Sequence, residues 1–172
     1  MKMQDTRDIR ADRAVVFAAI LDPEVLKDCI SGAETVTGNV TDGYEAVVTQ
    51  KVGPVKATFK GAVQMSEIVE NERLTISGEG KGGAAGFAKG GAVVTLEEVE
   101  PGLTRLSYDV EAKVGGKLAQ LGSRIIDGFA KKMADQFFDR LKEGLEGPAE
   151  PAAEAAEDAP KSGWFKRLTG RG

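Results

Sequence analysis

Residues 117–145 read KLAQLGSRIIDGFAKKMADQFFDRLKEGL, and this stretch decides the architecture. Leu118, Leu121, Ile125, Phe129, Met133, Phe137 and Leu141 recur every three or four positions, the spacing that places side chains on one face of a helix. Ile126, Ala130, Ala134 and Phe138 widen that stripe beyond a bare coiled-coil seam, while Asp127, Lys131, Lys132, Asp135, Asp139 and Lys142 take the other faces. One long amphipathic helix is expected from about Lys117 to Leu145. So broad an apolar stripe needs a second layer to bury it.

The preceding sequence supplies that layer. Val55, Ala57, Phe59, Gly61, Val63 and Met65 alternate with Lys56, Thr58, Lys60, Ala62 and Gln64. Leu106, Tyr108, Val110, Ala112 and Val114 alternate in the same way with Arg105, Ser107, Asp109, Glu111 and Lys113, and Tyr44, Ala46 and Val48 begin a third such run. A period of two with one apolar face is the pattern of an antiparallel sheet covered on one side. Thr41-Asp42-Gly43, Gly53-Pro54, Glu70-Asn71 and Pro101-Gly102 supply turns between the runs. Six or seven strands are expected, at about 2–10, 34–40, 43–52, 55–69, 72–79, 85–99 and 102–115. Residues 11–21 put Val15, Phe17, Ala18 and Leu21 roughly on one side of a short helix; Asp22-Pro23 ends it and opens a second, over 24–30, which Ser31-Gly32 stops.

The expected class is therefore α+β, a curved antiparallel sheet of six or seven strands wrapped around a C-terminal helix. A curved meander closing on a helix leaves a gap between the two, which is a natural ligand cavity. Phe59, Met65, Tyr108, Val110, Phe129, Met133 and Phe137 are expected to face it, although each would serve equally as packing. The inward phases carry few polar residues, so an occupant would be apolar; a quinone or another isoprenoid-like lipid meets that requirement.

Composition narrows the chemistry. The 172 residues contain no histidine and one cysteine, Cys29. No His general base, no Ser-His-Asp or Cys-His nucleophile and no site built from Cys and His ligands can form within the chain. A lone cysteine forms no internal disulfide and fits a reducing compartment; Cys29 is best read as a small buried apolar group. No loop with acidic ligand spacing for a metal is visible, and no intrinsic cofactor is expected. A net charge of −4 speaks against nucleic acid as a partner. The longest apolar run, Ala14 to Leu21, is far too short to span a bilayer. Residues 1–7 lack the apolar stretch of a signal peptide, so a cytoplasmic location is expected.

Gly78-Glu79-Gly80-Lys81-Gly82-Gly83 matches G-x-G-x-x-G. A dinucleotide site would need a helix directly after it. Instead the glycines continue through Gly86, Gly90 and Gly91 into the strand-like Val93-Val94-Thr95-Leu96, so a pair of sharply curved or bulged strands is expected.

The order β-α-α-β₆-α resembles the helix-grip fold of START domains, birch-pollen-allergen type proteins and polyketide cyclases. More narrowly, the chain resembles the CoxG family, named for an accessory component of carbon monoxide dehydrogenase. The residues that carry the likeness are 15–24 (VVFAAILDPE), 29–34 (CISGAE), 76–80 (ISGEG), 90–96 (GGAVVTL) and 114–122 (VGGKLAQLG). Many members have Pro where Ser31 stands, a departure confined to a turn. The resemblance covers about residues 1–146. It implies a non-catalytic accessory protein that accompanies a molybdenum hydroxylase of the carbon monoxide dehydrogenase type, linked to membrane recruitment of that enzyme and to electron transfer toward quinone. Two other readings remain: an assembly or maturation factor with no ligand, and an enzyme of the cyclase type. The latter would need a cavity acid or base such as Asp109 or Glu111, and both fall on the polar phase of their strand.

The composition changes at Gly147. Residues 147–160 (GPAEPAAEAAEDAP) carry four acids and no aliphatic side chain larger than Ala, the make-up of a flexible spacer with a reach of about 20 Å. Residues 161–172 (KSGWFKRLTGRG) have no acid and hold the only tryptophan. In a helical turn Trp164, Phe165 and Leu168 would lie close together, leaving Lys161, Lys166, Arg167 and Arg171 for anionic head groups. Three partly buried apolar groups contribute roughly 3–6 kcal/mol gross, and each nearby cation about 1 kcal/mol. A tail without a role and a tail that docks on a partner protein are the alternatives to this weak peripheral attachment at the inner face of the cytoplasmic membrane.

Overall fold

The computed structural model describes residues 1–146. The expected spacer 147–160 and the basic-aromatic tail 161–172 lie outside the described residues. In chain order the elements are β1 (Lys2–Ile9), α1 (Arg13–Leu21), α2 (Pro23–Cys29), β2 (Ala33–Asn39), β3 (Gly43–Val52), β4 (Val55–Val69), β5 (Arg73–Lys81), β6 (Phe87–Glu100), β7 (Leu103–Gly115), α3 (Lys117–Gln120) and α4 (Ser123–Glu146).

The seven strands form one antiparallel sheet in the order β1-β7-β6-β5-β4-β3-β2. Strands β2 to β7 follow one another as a meander, because short turns can only connect antiparallel neighbours. Strand β1 pairs with β7 instead, so α1 and α2 carry the chain from one edge of the sheet to the other. Asp22 sets the corner between these helices: its side chain accepts from the Glu24 backbone N–H at 2.9 Å, and Pro23 begins α2 without needing a donor. The Tyr44 hydroxyl, on β3, donates to the Leu21 carbonyl at 2.6 Å and fixes the end of α1 to the sheet.

The glycine-rich segment is what the curvature reading expects. Gly78 of β5 pairs with Gly90 of β6, and only a short 3-10 turn, Gly83–Ala85, separates the two strands. No α-helix follows the G-x-G-x-x-G motif. A Cβ on Gly90 would run into the carbonyl oxygen of Glu111, so the bend at this point tolerates no side chain.

The single long helix expected from Lys117 is two helices. Gly122 takes φ +90°, a left-handed value that ends the one-turn α3 before α4 starts. The stripe continues in register across the break, which is why spacing alone hides it. Burial along α4 is also uneven. Phe138, Leu141, Gly144 and Leu145 are buried, and no residue from Ser123 to Phe137 is. Its C-terminal third closes the hydrophobic core with Ile9, Val16, Val25, Cys29, Leu74 and Leu106, all essentially inaccessible to solvent. Its N-terminal part spans open space above the sheet.

Candidate ligand cavity

That space is a cavity of about 470 Å³ between the concave face of the sheet and the first half of α4. The alternation of the strands produces its floor. Phe59 of β4, Val110, Ala112 and Val114 of β7, and Val48 and Val52 of β3 all point inward, and α4 contributes Ile126, Phe129, Ala130, Met133 and Phe137 as its roof. Gly80, Ala88 and Ala112 provide the volume, since small side chains there leave room that larger ones would fill. Gln50 is the one polar side chain in the lining, and its amide nitrogen donates to the Ser31 carbonyl. The wall thus offers apolar surface and almost no hydrogen-bonding partner, which favours a ligand that water solvates poorly.

Of the seven residues the sequence placed around the cavity, Phe59, Val110, Phe129, Met133 and Phe137 line it. Met65 does not; it sits farther along β4 and packs against the core. Tyr108 does not line it either. It is buried, with its ring stacked on Phe138 at 5.1 Å between centroids, and it forms part of the wall behind the closed end. Phe137 meets Phe138 edge-on at the same 5.1 Å separation, so an aromatic cluster divides cavity from core.

Arg7 closes this wall, and sequence reasoning did not single it out. It stands on the inward phase of β1, with a side chain only 16 % exposed. Its Nη2 donates to Asp135 Oδ1 on α4 at 2.7 Å, to the Tyr108 hydroxyl at 3.2 Å and to Asp5 Oδ2 at 3.4 Å. The guanidinium also lies 5.0 Å from the centre of the Phe138 ring. Burial opposes the charge of Arg7, and the hydrogen bonds to Asp135 and Tyr108 outweigh it, leaving the guanidinium pKa raised. Asp135 is held below the usual carboxylate range by its hydrogen bonds to Lys131 and then Arg7. An alternation pattern marks position 7 as inward but cannot show that a carboxylate 128 residues later completes the pair.

Acid–base groups are not gathered at the cavity. Asp109 and Glu111 lie on the outer face of β7, where Asp109 accepts from Gln4 at 3.4 Å and Glu111 faces Lys2. Burial pushes the Cys29 thiol up to about 12, which keeps it protonated and unreactive. Among the described residues no cluster of acidic, Cys or His side chains could hold a metal ion, and no helix is long and apolar enough to cross a membrane.

The family model for CoxG, the accessory component of carbon monoxide dehydrogenase, matches residues 6–146, the whole of the domain around this cavity. The chain belongs to the CoxG family. The family's helix-grip architecture recurs in solved structures. A conserved protein from Geobacillus kaustophilus is 25 % identical, superposes with a TM-score of 0.78, and the match covers 83 % of this chain and 93 % of that one. A START superfamily protein from Mycobacterium smegmatis, 14 % identical, superposes with a TM-score of 0.64 over 84 % of this chain and 97 % of its own. A protein from Thermus thermophilus, 15 % identical, gives 0.63 over 83 % and 95 %. The fold is therefore that of the START superfamily, as the strand and helix order implied. No curated protein matches the chain.

Proposed function

We propose that this chain is a non-catalytic accessory protein of a molybdenum hydroxylase of the carbon monoxide dehydrogenase type, and that it carries an apolar ligand, a quinone or similar lipid, in its cavity while bringing the enzyme to the membrane. The observation that carries the reading is the cavity itself: about 470 Å³ lined by aliphatic, aromatic and thioether side chains, in a chain of the CoxG family. A ring system bearing an isoprenoid tail gains from every part of such a wall. Asp109 and Glu111 point away from the space, which supports carriage over catalysis. The tail contributes a second attachment, with Trp164, Phe165 and Leu168 at the headgroup boundary and Lys161, Lys166, Arg167 and Arg171 on anionic lipid.

Native mass spectrometry of the freshly purified full chain tests the ligand. The expected spectrum contains a complex whose added mass matches a quinone or lipid and disappears after extraction with organic solvent. A chain that is bare in that spectrum and does not bind added quinone at micromolar concentration is not a carrier, and the role of an assembly factor takes its place. For the partner, affinity capture with the tagged chain is expected to retain a molybdenum hydroxylase.

A further inference from the structure

Three pairs of lysines stand directly opposite one another on neighbouring strands. Lys51 faces Lys56 across β3 and β4, Lys60 faces Lys81 across β4 and β5, and Lys89 faces Lys113 across β6 and β7. Like charges in this position destabilise a sheet. All six are exposed, and none forms an ion pair among the described residues, although Lys89 also has Glu79 opposite it on β5. Their chain neighbours on the inward phase include Val52, Phe59, Gly80, Ala88, Ala112 and Val114, which line the cavity. The lysines thus coat the outer side of the part of the sheet that holds the ligand space.

Lys117 and Arg124 extend the coat around the N-terminal end of α4. Segments 51–60, 81–89 and 113–124 together contain eight Lys or Arg and no Asp or Glu. The other described residues contain eleven Lys or Arg against twenty-three Asp or Glu. One end of the domain is therefore strongly basic and the remainder strongly acidic. Three uncompensated like-charge pairs break a local rule of sheet design, and such breaks concentrate where a surface serves binding.

We infer that this basic end of the folded domain docks directly on an anionic lipid bilayer. Two large apolar side chains are exposed at the same end. Phe87 (44 % exposed) begins β6 beside Gly115, and Ile125 (40 % exposed) lies in the first turn of α4 beside the Gly53 turn. Cations interleaved with exposed aromatic and aliphatic groups suit the headgroup region better than the surface of an acidic protein. Charge asymmetry then orients the domain, because the acidic remainder is repelled by the surface that attracts this end. The docked orientation sets the cavity beside the bilayer, so that a water-averse ligand has a short route between the two. The inference rests on the membrane reading above, but it assigns the contact to the domain instead of the tail.

The test is cosedimentation of the full chain with vesicles of equimolar phosphatidylcholine and phosphatidylglycerol. The variant Lys51→Gln/Lys56→Gln/Lys89→Gln/Lys113→Gln is expected to bind roughly tenfold more weakly or worse, and a charge-matched variant, Arg10→Gln/Lys27→Gln/Arg73→Gln/Lys142→Gln, to stay within about twofold of wild type. Equal losses in the two variants, or none in the first, overturn the inference. Removing opposed lysines should leave the melting temperature unchanged or higher, so weaker binding is not loss of fold. Trp164→Ala/Phe165→Ala separates the two contacts. If that variant alone abolishes binding, the domain surface is excluded and the tail reading stands; if the lysine variant alone does so, the tail reading is excluded and the domain surface stands. Wild-type protein that ignores these vesicles overturns both, and an acidic protein becomes the partner for the lysine face.

Discussion

Arg7 and Asp135 join the edge strand of the sheet to the middle of the C-terminal helix through a 2.7 Å hydrogen-bonded ion pair. Their link falls where α4 passes from open cavity to packed core, between Met133 and Phe138. Asp135 is bound from the other side by Lys131 at 3.0 Å, an i,i+4 pair on the same helix.

Loss of this link should loosen one part of α4 and spare the other. Asp135→Ala is expected to raise amide hydrogen exchange in 123–135 while 138–145 stay protected. Equal acceleration along the whole helix would show that the ion pair does not divide it.

The same carboxylate gives a sign for pH. Its folded pKa is depressed, through Lys131 first and Arg7 second, so its contribution is present above the unfolded value and is lost as pH falls through the folded one. The melting-temperature advantage of wild type over Asp135→Asn should be full at neutral pH and close below about pH 4. Asp135 is partly exposed, so the difference will be small. An advantage that grows toward low pH would contradict the assignment.

Truncations along α4 should cost very different amounts. Leu141 is wholly buried, and Leu141→Ala is expected to lose about 2–5 kcal/mol in urea denaturation. Met133 borders the cavity and is only half-buried, so Met133→Ala should lose about 1 kcal/mol or less. Similar losses at both sites would mean that the cavity half is packed as tightly as the core.

Filling the cavity should separate binding from folding. Ala130 lines the roof from a helix position that readily accepts leucine. Ala130→Leu is expected to weaken quinone or apolar-dye binding about tenfold while leaving the melting temperature equal or higher. A variant that binds as well as wild type would place the ligand elsewhere.

Backbone geometry supplies one more. Gly122→Ala forces a Cβ into φ +90° and is expected to cost about 1–2 kcal/mol, measured by urea denaturation. A neutral result would mean that the junction between α3 and α4 can re-form as continuous helix.

Alternation and turn residues made the sheet legible because each strand is wet on one face and covered on the other. Val55 to Met65 and Leu106 to Val114 carry that signal with little interruption. The break at Gly122 was not legible, since Leu121 and Ile125 keep helical spacing across it and glycine within a helical pattern is ambiguous until its φ is known. Phe59, Val110, Phe129, Met133 and Phe137 could be placed at the cavity from phase alone. Phase could not separate them from Met65 and Tyr108, because how far along its strand a residue meets helix, cavity or core depends on where α4 makes contact. Gly80, Ala88 and Ala112 escaped notice for a related reason: they matter through the volume they do not occupy. Met1 and Met3 line the cavity too, but only the pairing of β1 with β7 brings the N-terminus there.

Because α4 is gripped only near its C-terminal end, it behaves geometrically as a lever. Ser123 lies 15 residues, about 22 Å, from Phe138, where burial begins. A tilt of about 10° about that fulcrum shifts the free end by about 4 Å. The aperture thus widens from a small rotation that leaves the hydrogen bonds of the sheet intact, and a flat aromatic ring could slip through without any strand melting.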